Sequence, residues 1–163
     1  MKNDEKEYYP QIKAKLEELL KTKTLNFYLE TTANRRFTEK LKSEIPPQRD
    51  IIFNFLKKTA PDITGFIKDS SDFVIIEFKK KRIKLDDIYQ TKKYRELFNA
   101  KFTFLISSEP IPTEIKRLDK AIQLLRSGLH WTFDFVLAHF DRKQGDFVEW
   151  YPENPFEKDS PWK

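Results

Sequence analysis

The stretch Phe73-Val74-Ile75-Ile76-Glu77-Phe78-Lys79 constrains the fold of this chain more than any other. Four consecutive apolar residues mark a strand buried on both faces, and such strands belong to sheets covered by helices on either side. Phe102 to Ile106 is a second short run of this buried kind. Helix-like and strand-like segments alternate around these two runs. The expected fold class is therefore α/β, a mixed central β-sheet flanked by helices. A chain of 163 residues has room for one such domain, 1–163, with its core over about 5–126 and a C-terminal hairpin and tail over 129–163.

The remaining elements follow from periodicity. Tyr9, Ile12, Leu16, Leu19 and Leu20 recur at helical spacing and predict a helix over 5–22, with Pro10 suited to its first turn. Leu25 to Thr32 alternates and predicts a strand. Thr38 to Glu44, stopped by Pro46-Pro47, and Ile51 to about Thr59 predict two short helices as an insert. Pro61 breaks the chain, and the polar turn Lys68 to Asp72 joins Asp62–Ile67 to Phe73–Lys79 as a β-hairpin. Asp86 or Asp87 can cap a helix running through Phe98. Thr113 can cap another, with a stripe of Ile115, Leu118, Ile122 and Leu125 closed by Gly128. Trp131 to Phe140 and Phe147 to Tyr151 predict a final hairpin.

Against that background Glu77 stands out, because a carboxylate interrupts a strand that otherwise looks buried. Side chains alternate along a strand, so Glu77 and Lys79 point one way and Phe78 the other. A hairpin turning near Asp69 to Ser71 brings Asp62 level with Glu77. Two carboxylates and one ammonium then share one face of adjacent strands. Hard oxygen donors of this kind suit Mg²⁺, which keeps several waters and takes only one or two protein carboxylates. Lys79 would orient or activate a metal-bound water, or offset charge building on a phosphate. Without metal the two acids repel, so neutralising Asp62 should leave stability unchanged or raise it.

Pro61-Asp62, followed fifteen positions later by Glu77-Phe78-Lys79, resembles the motif of the PD-(D/E)xK nuclease superfamily, the restriction-endonuclease-like fold. Gln90-Thr91-Lys92-Lys93-Tyr94 is similar to the Q-x-x-x-Y motif of its RecB-type branch. The order of elements from residue 5 to about 126 is similar to that family's α-β-β-β-α-β core, with a helical insert before Pro61. The resemblance implies a Mg²⁺-dependent DNA endo- or exonuclease, with Mn²⁺ able to substitute. It implies that Asp62, Glu77 and the backbone carbonyl of Phe78 ligate the metal and that Lys79 assists hydrolysis. Gln90 and Tyr94, at i and i+4 on one helix face, would position the bound strand. Members of the family also place a glutamate on the first helix; Glu7 is the candidate, ahead of Glu17 and Glu30.

Charge placement points to a polyanion partner. The chain carries a net +5, and between Glu77 and Glu96 eight bases face four acids, whereas from Asp141 onward acids outnumber bases. Lys80, Lys81, Arg82, Lys84, Lys92 and Lys93 are the expected phosphate contacts, to DNA first and with RNA open. The alternative for the run at 79–84 is a charged strand end that discourages edge pairing.

Other chemistries fall away. The chain has no cysteine, which excludes disulfides and thiolate catalysis and is compatible with the cytoplasm. Three glycines leave few positions for positive φ, and no Gly-rich phosphate loop is present. Apolar runs are too short to span a membrane, and no membrane partner is expected. His130 and His139 lack a third ligand, Ser107-Ser108 sit in no nucleophile elbow, and Trp131, Trp150 and Trp162 read as core aromatics. The rival readings are a non-catalytic nucleic-acid-binding module, or a subunit of a larger complex whose C-terminal hairpin meets a partner. Oligomeric state, homodimer or larger assembly, is open.

Overall fold

Pro10 decides how the chain begins. In the computed structural model, which describes residues 2–126 and 135–157, helix α1 (Lys2–Glu5) passes through a 3₁₀ turn (Lys6–Tyr8) into α2 (Tyr9–Leu20). Pro10 sits in the first turn of α2, where its missing N–H leaves no bond unmade. Strand β1 (Phe27–Thr31) follows, then the helical insert α3 (Glu39–Lys42) and α4 (Ile52–Phe55). Thr38 caps α3 by accepting the Leu41 N–H at 3.2 Å. Next come β2 (Ile63–Ile67), β3 (Asp72–Lys79), α5 (Leu85–Phe98), β4 (Phe102–Ser107), α6 (Thr113–Ile122), β5 (Phe135–Asp141) and β6 (Asp146–Tyr151).

The six strands form one sheet in sequence order. β2 runs antiparallel to both of its neighbours, β1 and β3; β3, β4 and β5 run parallel, and β6 returns antiparallel to β5. The fold is thus mixed α/β. Side-chain alternation sorts the core into two layers. Val74, Ile76 and Phe78 face α2, where Ile12, Leu16 and Leu20 form the buried stripe. Phe73 and Ile75 face α5, packing with Tyr94, Phe98 and the insert residues Leu41, Ile52 and Leu56. Leu105, Phe135 and Leu137 continue that second face beneath Ile88 and Ile115. Gly65 is required where it pairs with Leu29 of β1: a Cβ there would lie 2.3 Å from Leu29 Cδ2 and 2.9 Å from the Tyr28 carbonyl oxygen.

Helix ends differ from their expected positions for identifiable reasons. Asp86 and Asp87 lie inside α5, which starts after Lys84; Asp87 reaches back to accept the Lys84 N–H at 2.8 Å. Thr113 is the first residue of α6 and makes no capping bond. That helix stops at Ile122 because Gln123 adopts a left-handed conformation and Asp119 accepts the Leu125 N–H at 2.9 Å. Ile122 is consequently 54% exposed, while Leu125 is buried from outside the helix. Gly128, His130, Trp131 and Trp162 lie outside the described residues.

Candidate functional site

The pairing of Ile63 with Ile76 sets Asp62 opposite Glu77 at the open end of the β2–β3 hairpin. Both carboxylic side chains are fully buried. Asp62 lies just beyond the last paired residue of β2, and its carboxylate takes over part of the ladder. Asp62 Oδ2 accepts the Phe78 N–H at 2.8 Å, and Oδ1 accepts the Tyr9 hydroxyl at 2.8 Å. Its backbone carbonyl accepts the N–H groups of Thr32 (2.8 Å) and Ala33 (3.1 Å). Asp62 is therefore held from α2, β1 and β3 at once, as a buried carboxylate needs to be.

Glu77 faces the α5 side of the sheet with Lys79. The Lys79 ammonium lies 4.0 Å from Glu77 Oε1 and 3.7 Å from Asp87 Oδ1. Asp87 comes from the first turn of α5, so one lysine bridges the strand acid and the helix acid. Glu77 and Lys79 thus meet on one strand face, with Asp62 opposite Glu77 in the strand register. Phe78 turns its ring away, stacked on Tyr8 at 4.7 Å between centroids, and leaves only its backbone at the cluster.

Tyr9 reports on the electrostatics of the site. Burial first, then the charge of Asp62 and the hydrogen bond to it, push the phenol far above its ordinary value, and Glu5 and Glu77 add to the shift. Three carboxylates, Glu5 from α1, Asp62 just before β2 and Glu77 from β3, therefore act on one hydroxyl. Glu5 also accepts the Lys80 N–H at 3.3 Å.

The donor set decides which cation fits. Among the described residues no group of three or more His, Cys, Asp or Glu side chains is gathered at ligand distance. Two hard carboxylates facing each other in the register are donors of the kind Mg²⁺ takes while keeping most of its own waters.

No protein family, curated protein or solved structure matches the chain. What the site can do therefore rests on its own geometry.

The flanking charges are unevenly placed. Lys79, Lys80, Lys81, Arg82 and Lys84 line a cleft of about 180 Å³ together with Asp4, Glu5 and Asp87. Ser107 and Ser108 hold this run in place by donating to the carbonyls of Lys81 (2.8 Å) and Lys80. That structural duty accounts for the serine pair. Arg82 pairs with Glu114 at 3.2 Å, but both are solvated and the pair contributes little. Lys92 is half-buried; burial and then Arg95 lower its pKa, opposed by Asp119 and Glu96. The Lys93 ammonium lies 5.3 Å over the Tyr94 ring.

Two expected members lie elsewhere. Glu7 turns away from the cluster and accepts from Arg142 at 3.0 Å, because the 3₁₀ turn redirects its face toward the β5–β6 turn. Glu5 is the first-helix acid beside the site. Tyr94 is fully buried in the core cluster that includes Ile75 and Phe98, so its ring anchors α5 to the sheet. Gln90 is half-buried one turn earlier. The sequence reading missed Tyr9, Glu5 and Asp87 as site residues. Tyr9 is read as one more member of the α2 stripe, since nothing local ties it to an aspartate 53 positions away.

Proposed function

We propose that the chain is a Mg²⁺-dependent DNA nuclease of the PD-(D/E)xK type, hydrolysing phosphodiester bonds at the Asp62–Glu77–Lys79 cluster. One observation carries the reading. Two fully buried acids stand opposite each other at the end of one hairpin, with a lysine 4.0 Å from Glu77 on the same strand face. Burying two like charges side by side is costly unless something compensates them, and a divalent cation does so most directly.

Asp62 and Glu77, with the backbone of Phe78, would hold the cation. When bound, it would acidify the attacking water and neutralise charge on the scissile phosphate. Tyr9 and the Phe78 N–H fix the Asp62 carboxylate in one orientation. Lys79, steadied between Glu77 and Asp87, orients the water and offsets the charge gathering on the phosphate oxygens. The water oxygen bonds to phosphorus and releases a proton to solvent, the bond to the 3′ oxygen breaks, and that oxygen takes up a proton from solvent, leaving a 5′-phosphate. The exposed bases after Lys79 bind the flanking phosphates. A cytoplasmic setting is part of the proposal; among the described residues no helix is long and apolar enough to cross a membrane.

A binding module or complex subunit without catalysis is the second reading. It is favoured by the two protein hydrogen bonds that already occupy the Asp62 carboxylate. Cleavage of labelled linear, branched and single-stranded substrates with Mg²⁺ or Mn²⁺ separates the two. Metal-dependent products that vanish in Glu77→Ala support the enzyme; binding with no products supports the module.

A further inference from the structure

A second concavity adjoins the first across the N-terminal helical segment, since consecutive residues Glu5 and Lys6 line the two. It encloses about 570 Å³, with the cations Lys6, Arg35, Arg36 and Lys58 around a floor that includes Ala33 and Ala60. The first cleft mixes its bases with three acids; no acid lines this one. Among the described residues, none of these four cations forms an ion pair. Like charges around one hollow raise its potential together, and an anion entering it relieves their repulsion.

The hollow is tied to the acid cluster through the backbone. Thr32, fully buried, donates its hydroxyl to the Pro61 carbonyl at 2.6 Å and its N–H to the Asp62 carbonyl at 2.8 Å. From Thr32 the chain turns directly into the two arginines: the Arg35 N–H returns to the Thr32 carbonyl at 2.8 Å, and Asn34 accepts the Arg36 N–H at 3.0 Å. On the other wall, the Lys6 carbonyl receives the N–H of Tyr9, whose hydroxyl binds Asp62. Lys58 lies four residues before Asp62 in the chain. Each wall therefore has a fixed relation to that aspartate.

We propose that this hollow binds a phosphate of the nucleic-acid strand on the far side of Asp62 from the Lys79–Lys84 run, so that the backbone crosses the acid cluster between two cationic seats. The position of the strand rests on the nuclease reading, whereas the binding of phosphate by the hollow does not.

The test is fluorescence anisotropy in EDTA, with a labelled duplex and a range of salt. It compares wild type with Arg36→Gln/Lys58→Gln and with a charge-matched pair remote from the hollow, Lys21→Gln/Lys120→Gln. The hollow pair is expected to weaken binding about tenfold, and to flatten the slope of log K against log salt by roughly 0.9 for the one lost phosphate contact. The matched pair should change affinity less than twofold. Equal losses in both pairs, no loss in the hollow pair, or no DNA binding by wild type would each overturn the proposal. So would attachment to acidic phospholipid vesicles in place of DNA. If the hollow pair melts well below wild type, Lys6→Gln, at an exposed position, replaces it with an expected three- to fivefold loss. A separate Mg²⁺ cleavage assay keeps the two readings apart. Binding through the hollow without cleavage refutes the nuclease alone, and cleavage indifferent to the hollow pair refutes the hollow alone.

Discussion

Replacing Tyr9 by Phe removes one oxygen and leaves the ring in place, which makes it a narrow probe of how Asp62 is held. Tyr9 is 3% exposed and Asp62 is fully buried, so solvent cannot readily take the place of the lost hydroxyl. The hydrogen bond is 2.8 Å long and runs to a carboxylate, a class that contributes about 1.5–3 kcal/mol. For a domain of this size each kcal/mol lowers Tm by about 2–4 °C, so Tyr9→Phe should melt about 3–12 °C lower. Thermal and urea unfolding followed by circular dichroism at pH 7 in EDTA measure it. Repeating the substitution in an Asp62→Asn background tests the partner. The amide can still bond to the phenol, but only as a neutral pair, so the cost of losing the hydroxyl should roughly halve. A Tyr9→Phe protein within about 0.5 kcal/mol of wild type, below any charge-assisted bond of this class, would refute the reasoning.

Three further outcomes are expected. Asp62→Asn should stay near wild-type stability in EDTA or gain about 0.5–2 kcal/mol, since the amide oxygen can accept the Phe78 N–H while repulsion from Glu77 is relieved. Asp62→Ala should lose about 2–4 kcal/mol through two stranded buried donors, and Mg²⁺ at tenfold its Kd should add about 1.4 kcal/mol to wild type but to neither variant. Lys80→Gln/Lys81→Gln/Arg82→Gln should flatten the salt dependence of DNA binding, from a slope of roughly −3 to −4, and an unchanged slope in anisotropy titrations would place DNA elsewhere. Stability should hold up to about pH 10 and then fall. Tyr9, Tyr28 and Tyr151 all have raised values, the last two to about 12, so the unfolded chain releases protons first, and Tyr9→Phe should soften the fall in urea melts.

The hairpin and its register were legible because the apolar run, the polar turn and Pro61 all act over short distances. They place Asp62 against Glu77 with no tertiary information. What could not be read depends on contacts between distant segments. Glu7 is the candidate only through the family's first-helix glutamate, and the 3₁₀ turn over Lys6–Tyr8, advancing about 120° per residue where an α-helix advances about 100°, sets its face elsewhere. Gln90 and Tyr94 are spaced one helical turn apart, yet Tyr94 falls on the stripe of Ile88, Thr91 and Phe98 that faces the core. The α5 end at Phe98 falls where expected, with Asn99 as the left-handed residue after it, whereas the α6 end escaped a search for glycine because Gln123 supplies that conformation. Arg35 and Ser71 do the same in loops, so three glycines limit positive φ less than expected.

The central claim is that Asp62, Glu77 and Lys79 form a hydrolytic metal site, and single-turnover DNA cleavage with and without Mg²⁺ tests it most directly. Wild type should yield 5′-phosphate products only with the metal. Glu77→Gln and Lys79→Ala should each lower the rate at least a hundredfold, on the scale of losing one group that stabilises the transition state, while still binding DNA in EDTA. Either variant turning over near the wild-type rate, or wild type that binds DNA yet leaves every substrate intact with Mg²⁺ and Mn²⁺, would contradict it.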